Sequence, residues 1–141
     1  MSFRLEASRE VYQAMLDQAR AELPNECCGL LTGTVEGGVG RVVARYPLVN
    51  KLASPVEFLS EESSMFAAFK DMRKRGLDVL AVYHSHPTTE PVPSRKDLAQ
   101  NYSEDVMNLI ISLAGPEPEV RAWWLTPSDY REAEWEVKER Q

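Results

Sequence analysis

Apolar and polar positions along the chain predict an alternation of strands and helices. Ser2 to Leu5 reads as a short first strand, and Ser8 as the N-cap of a helix from about Arg9 to Leu23. Val11, Met15, Leu16 and Ala19 fall on one face of that helix, with Gln13, Asp17 and Arg20 outside it. Pro24 ends it. Cys28 to Tyr46 reads as a hairpin, two mostly apolar runs about the turn signal Glu36-Gly37-Gly38. Pro47 to Pro55 reads as an irregular connection, and Val56 to Leu59 as a short edge strand. Ser60 is placed to cap a second helix, about Glu61 to Arg75, with Met65, Phe66, Phe69 and Met72 as its apolar stripe and Gly76 just past its end. The apolar run Leu77 to Tyr83 predicts a buried strand. Ser94 then opens a helix reaching about Asn101. Asn108 to Leu113, Glu119 to Leu125 and Ala133 to Glu139 predict three further strands.

This order describes an α/β fold, a mixed β-sheet flanked by helices. The 141 residues favour one domain over the whole length, 1–141, and 43% hydrophobic against 27% charged residues is ordinary for a globular protein. The net charge of −6, with no basic run, argues against nucleic acid and against anionic membrane surfaces as partners. Met1 to Glu10 lacks an apolar signal core, and no stretch of about 20 apolar residues could span a bilayer. A cytoplasmic location is the expectation. The two cysteines, Cys27 and Cys28, are adjacent; they form neither a disulfide framework nor a Cys-x-x-Cys knuckle, and read as buried, reduced thiols.

The chemistry concentrates in Val82-Tyr83-His84-Ser85-His86-Pro87 and the loop that follows. His84 and His86 are the only histidines. Two residues apart on a strand, they point to the same face. Ser94 and Asp97 follow a Pro-rich loop, and Asp97 lies one turn into the next helix. Two imidazoles and one carboxylate leave a fourth tetrahedral position, the donor set of a catalytic zinc site rather than a structural one. Blander readings stand beside this one. The histidines could be polar residues at a strand end, and Ser94-x-x-Asp97 is also close to a capping box. Ser85, between the histidines, faces the other way and reads as structural. Glu26 is a carboxylate at the mouth of an apolar strand, and taken alone it could be a surface residue or a cap. Trp123, Trp124, Tyr130 and Trp135 gather near the C-terminus, where exposed aromatics would permit a homodimer.

Glu26, then His84-Ser85-His86-Pro87, then Ser94-Arg95-Lys96-Asp97 resembles the signature of the JAMM (MPN+) metalloproteases. Pro24-Asn25-Glu26-Cys27-Cys28-Gly29-Leu30-Leu31 is similar to the short bacterial members. The resemblance implies the JAMM/MPN, cytidine-deaminase-like architecture. It implies one Zn2+ per chain on His84, His86 and Asp97, Glu26 as general base, and Ser94 as hydrogen-bond donor to the oxyanion. It further implies hydrolysis of the amide bond after the C-terminal Gly-Gly of a ubiquitin-fold sulfur-carrier protein, releasing cysteine or a C-terminal extension. A hydrolase of a small amide and an inactive MPN-type scaffold are the alternatives.

Overall fold

The computed structural model describes residues 2–139. The elements in order are β1 (Arg4–Ser8), α1 (Arg9–Ala21), β2 (Cys28–Glu36), β3 (Val39–Leu48), α2 (Glu62–Arg75), β4 (Asp78–His86), α3 (Arg95–Ala99), β5 (Met107–Ser112), β6 (Glu119–Leu125), β7 (Tyr130–Glu132) and β8 (Trp135–Lys138). The strands make one sheet of order β7-β6-β5-β4-β2-β3-β1-β8. It is mixed: β4 runs parallel to β5, and β1 runs parallel to both β3 and β8. The α/β expectation holds.

Local chemistry explains the elements. Ser8 caps α1 by accepting from the Val11 N–H, and Met15, Leu16 and Ala19 are the buried face. The β2–β3 turn consists of Gly37 and Gly38, both at positive φ, the geometry a two-residue hairpin needs. Gly76 ends α2 in the left-handed conformation.

Strand alternation gives the sheet two apolar faces. One carries Leu31, Ala81, Tyr83, Leu109 and Ile111 against α1. The other carries Cys28, Leu30, Leu48 and Val82 against Ala68 and Met72 of α2. Cys27 and Cys28 therefore belong to opposite faces, and both are free thiols. A third group, Ile110, Trp123 and Leu125, packs under Val92 and Leu98 of the loop and helix after β4.

The β2–β3 ladder shifts register between Thr32 and Gly33, and there the backbones come close. A Cβ at Gly33 would lie 1.8 Å from the Arg41 carbonyl oxygen. Backbone cannot yield as a side-chain tip can, so Gly33→Ala should destabilise the fold by about 3 kcal/mol or more. A chemical-denaturation midpoint equal to that of the parent would refute this.

Several expectations change. Val56 to Leu59 forms no strand; an isolated bridge lies just outside the segment, between Asn50 and Ser60, and the Leu59 carbonyl accepts from the Lys51 N–H. Its apolar residues instead face neighbours singly or stay exposed, as Val56 does. The cap of α2 is Glu61, whose carboxylate accepts from the Ser64 N–H, rather than Ser60. Phe66 is 72% exposed, and Ala68 takes the buried position on the α2 stripe. Tyr130–Glu132 is an additional edge strand. Trp123 and Trp124 are core residues, so Tyr130 is the exposed aromatic among the C-terminal four. No helix among the described residues is long and apolar enough to cross a membrane.

Candidate metal centre and active site

Both histidines lie within β4 itself, with Pro87 following its last residue. Alternation sends Val82, His84 and His86 to the α2 side of the sheet, and Tyr83 and Ser85 to the α1 side. In the antiparallel β2–β4 ladder Cys28 pairs with His84. Two residues further along, the same register sets Glu26 opposite His86. Glu26 is 4% exposed. Asp97 comes from α3, whose N-terminus is a complete capping box: Ser94 Oγ accepts from the Asp97 N–H at 3.2 Å, and Asp97 Oδ2 accepts from the Ser94 N–H at 2.8 Å.

The structure brings His84, His86 and Asp97 together. His84 Nε2 lies 3.1 Å from Asp97 Oδ1, His86 Nε2 lies 3.2 Å from Asp97 Oδ2, and the two Nε2 atoms are 3.2 Å apart. Donor bonds of 2.0–2.1 Å at tetrahedral angles would set ligand atoms about 3.3 Å apart, so the spacing fits one zinc ion.

The tautomer points the same way. His86 Nδ1 lies 2.8 Å from the Glu90 carbonyl oxygen and donates to it. A neutral His86 then turns its Nε2 lone pair toward Asp97, which requires either a second proton or a cation between them. Burial works against a charged His86, but the Asp97 carboxylate and the Glu90 carbonyl outweigh it and raise the pKa. Burial pushes Asp97 up too; the hydrogen bonds from His84 and His86 overcome that and hold its carboxyl well below the usual range.

Glu26 behaves oppositely. Desolvation pushes its pKa from 4.5 to about 8, and the nearby Asp97 and Glu57 carboxylates add to the rise, while His86 and Lys96 counter it. Its Oε1 and His84 Nδ1 are buried without a hydrogen-bond partner. A buried orphan carboxylate oxygen beside two imidazoles and an aspartate is a place for a cation and water.

Several residues that the sequence did not single out hold this group. Glu26 donates its N–H to the Ser54 carbonyl at 2.8 Å. Its own carbonyl accepts from Asn50 Nδ2 at 3.0 Å. Asn50 also donates to the Glu57 carbonyl, and its Oδ1 accepts from the Leu52 and Leu59 N–H groups. One buried asparagine thus organises the irregular loop and ties it to the Glu26 segment. Phe58 of that loop stacks on His84 at 4.7 Å, and Glu57 pairs with Lys96 of α3 at 2.6 Å. A polar residue in a loop carries no periodic signal, so nothing in the sequence marks Asn50.

Ser85 has a structural role in this arrangement. Its Oγ accepts from the Cys27 N–H at 2.8 Å, and its N–H donates to the Cys27 carbonyl. It binds β4 to the residue next to Glu26, with both partners fully buried. Ser85→Ala should cost about 1–3 kcal/mol, because the Cys27 N–H is left unpaired. An unchanged urea midpoint would show that water or a backbone shift replaces the bond. Burial pushes the Cys27 and Cys28 thiols up to about 12, so both are protonated at neutral pH.

A mixed α/β sheet with two histidines at one end of its central strand, an aspartate brought to them by the following helix, and a buried glutamate just before the neighbouring strand define a metallopeptidase of the JAMM class. Residues 8–126 match the family described as prokaryotic homologs of the JAB domain, and the chain belongs to it. Over 101 residues it is 35% identical to a desampylase of Pyrococcus furiosus, a match covering 72% of this chain and 67% of the relative. Over 107 residues it is 28% identical to a CysO-cysteine peptidase of Mycobacterium tuberculosis, covering 76% and 72%. The solution structure of protein DSY2949 from Desulfitobacterium hafniense superposes with a TM-score of 0.87 at 36% identity, covering 96% of this chain and 94% of that one.

Proposed function

We propose that the protein is a zinc-dependent peptidase. It hydrolyses the amide bond after the C-terminal Gly-Gly of a ubiquitin-fold sulfur-carrier protein, releasing cysteine or a C-terminal extension. The observation that carries this reading is the juxtaposition of Glu26 with His84, His86 and Asp97 at one end of β2 and β4. The relatives' names, a desampylase and a CysO-cysteine peptidase, support the substrate class.

His84, His86 and Asp97 would hold one zinc ion. Bound there, zinc would supply a Lewis acid for the scissile carbonyl and lower the pKa of a water to about 7. Glu26 takes the proton from the attacking water and returns it to the leaving amine. Ser94 Oγ accepts from the Asp97 N–H, which leaves its own O–H free to donate to the oxyanion. Such a donor is worth roughly 3–4 kcal/mol in the barrier.

This reading treats the whole chain as one JAMM domain acting in the cytoplasm. The test is intact-mass analysis of diglycine-tailed carrier proteins bearing a C-terminal extension, with and without a chelator. A chelator-sensitive mass loss ending at Gly-Gly is expected. Turnover of short peptides as fast as of the folded carrier would instead favour a small-amide hydrolase.

A further inference from the structure

Beside the metal centre the sheet face and α2 enclose a cavity of about 120 Å³ whose wall includes His84 and Asp97. Leu30, Leu48, Phe58, Met65 and Val82 belong to its apolar wall. The polar part of the wall is uncharged apart from the metal-centre residues: Ser60, Gln100, Asn101, Tyr102 and Asn108. Asn108 of β5 is 4% exposed and lies opposite Val82 in the parallel β4–β5 ladder, on the same face as His84. It donates one amide hydrogen to Asn101 Oδ1 at 3.0 Å. Its own Oδ1 accepts no hydrogen bond from any described residue.

We propose that this cavity is the specificity pocket for the side chain of the residue that follows the diglycine, and that it selects an uncharged, largely apolar side chain. The inference rests on the functional reading above. Two of the cavity's wall residues are the metal-centre residues His84 and Asp97, so its occupant lies within about one residue of the scissile bond. The diglycine side of that bond has no side chain to offer. The first residue of the leaving group does. The volume suits about four or five heavy atoms, since a 150 Å³ cavity accommodates benzene. Leucine, methionine and cysteine side chains meet that limit, and a thiol or hydroxyl proton could reach Asn108 Oδ1. A carboxylate there would lose its hydration with no cation in the wall to replace it.

The test uses the zinc-loaded enzyme and one diglycine-tailed carrier ending in Gly-Gly-X, with X as Leu, Met, Cys, Gly or Asp. Rates come from intact mass under kcat/KM conditions. Leu, Met and Cys should exceed Gly and Asp by at least about 10-fold, the range a filled apolar pocket gives. Leu48→Phe, which fills the cavity, should reduce the Leu-to-Gly ratio to about 3-fold or less. Equal rates for all five, or a preference for Asp, would overturn the pocket while leaving the peptidase in place. No cleavage of any carrier by protein carrying stoichiometric zinc would overturn both readings.

Discussion

Glu26→Gln is expected to keep a full complement of zinc and to lose turnover by about 10³-fold, within the span that a removed general base produces. Glutamine preserves the shape of the side chain and the backbone bonds to Ser54 and Asn50, so the metal ligands have no reason to move. Metal analysis beside single-turnover kinetics separates the two effects. Near-parental turnover would exclude Glu26 as the base. The same variant has a thermodynamic signature in chelator-treated protein. The folded-state pKa of Glu26, about 8, lies above its ordinary value of 4.5. Between these values the folded chain retains a proton that the unfolded chain has released. Stability therefore falls as pH rises through this window and levels off above it. Glutamine cannot ionise, so the variant should match the parent near pH 4.5 and exceed it at pH 8 by on the order of 4 kcal/mol. Denaturation curves that stay parallel across this range would mean that the carboxylate reaches solvent.

The second large effect is expected at the metal ligands. His84→Ala and Asp97→Ala should each abolish stoichiometric zinc and, with it, activity; metal content after dialysis is the measurement. Asp97 has a second duty, returning the cap of α3 through the Ser94 N–H. Asp97→Ala therefore removes an oxygen donor and loosens a helix of only five residues. Asp97→Asn separates the duties: it keeps a capping acceptor and lacks the negative charge. Zinc loss with an ordered α3 in Asp97→Asn would assign the carboxylate to the metal. Zinc retained at parental affinity in both variants would remove Asp97 from the ligand set.

Much of the site was legible because it depends on period-two alternation. His84 and His86 share a face for the same reason that Val82 and His84 do. The spacing of Ser94 and Asp97 fits a capping box and a metal oxygen at once, and the geometry accommodates both. The hairpin and its glycine turn follow from backbone chemistry alone. The missed features depend on partners distant in sequence. Val56 to Leu59 has strand-like composition but no neighbouring strand to bond, and Asn50 satisfies the loop instead. Phe66 matches the helical stripe, yet Ala68 and Met72 are the α2 residues that pack on the sheet face, and Phe66 stays exposed. Tyr130–Glu132 is too short and too exposed to produce an alternation.

The Ser85–Cys27 clamp also bears on how the protein loses function before it loses its fold. Both histidines belong to β4, and Glu26 lies two residues before β2; these are two interior strands of the sheet, and the Ser85–Cys27 bonds fasten the start of β2 to β4. Amides in such strands exchange with solvent only on global opening. Asp97 is attached differently, through a single helical turn and the Lys96–Glu57 pair at the surface. On warming, the carboxylate should detach first and the zinc should leave an otherwise native sheet. Inactivation would then be a local, metal-reversible event several degrees below unfolding, and the deuterium uptake of α3 would report it while β4 stayed protected.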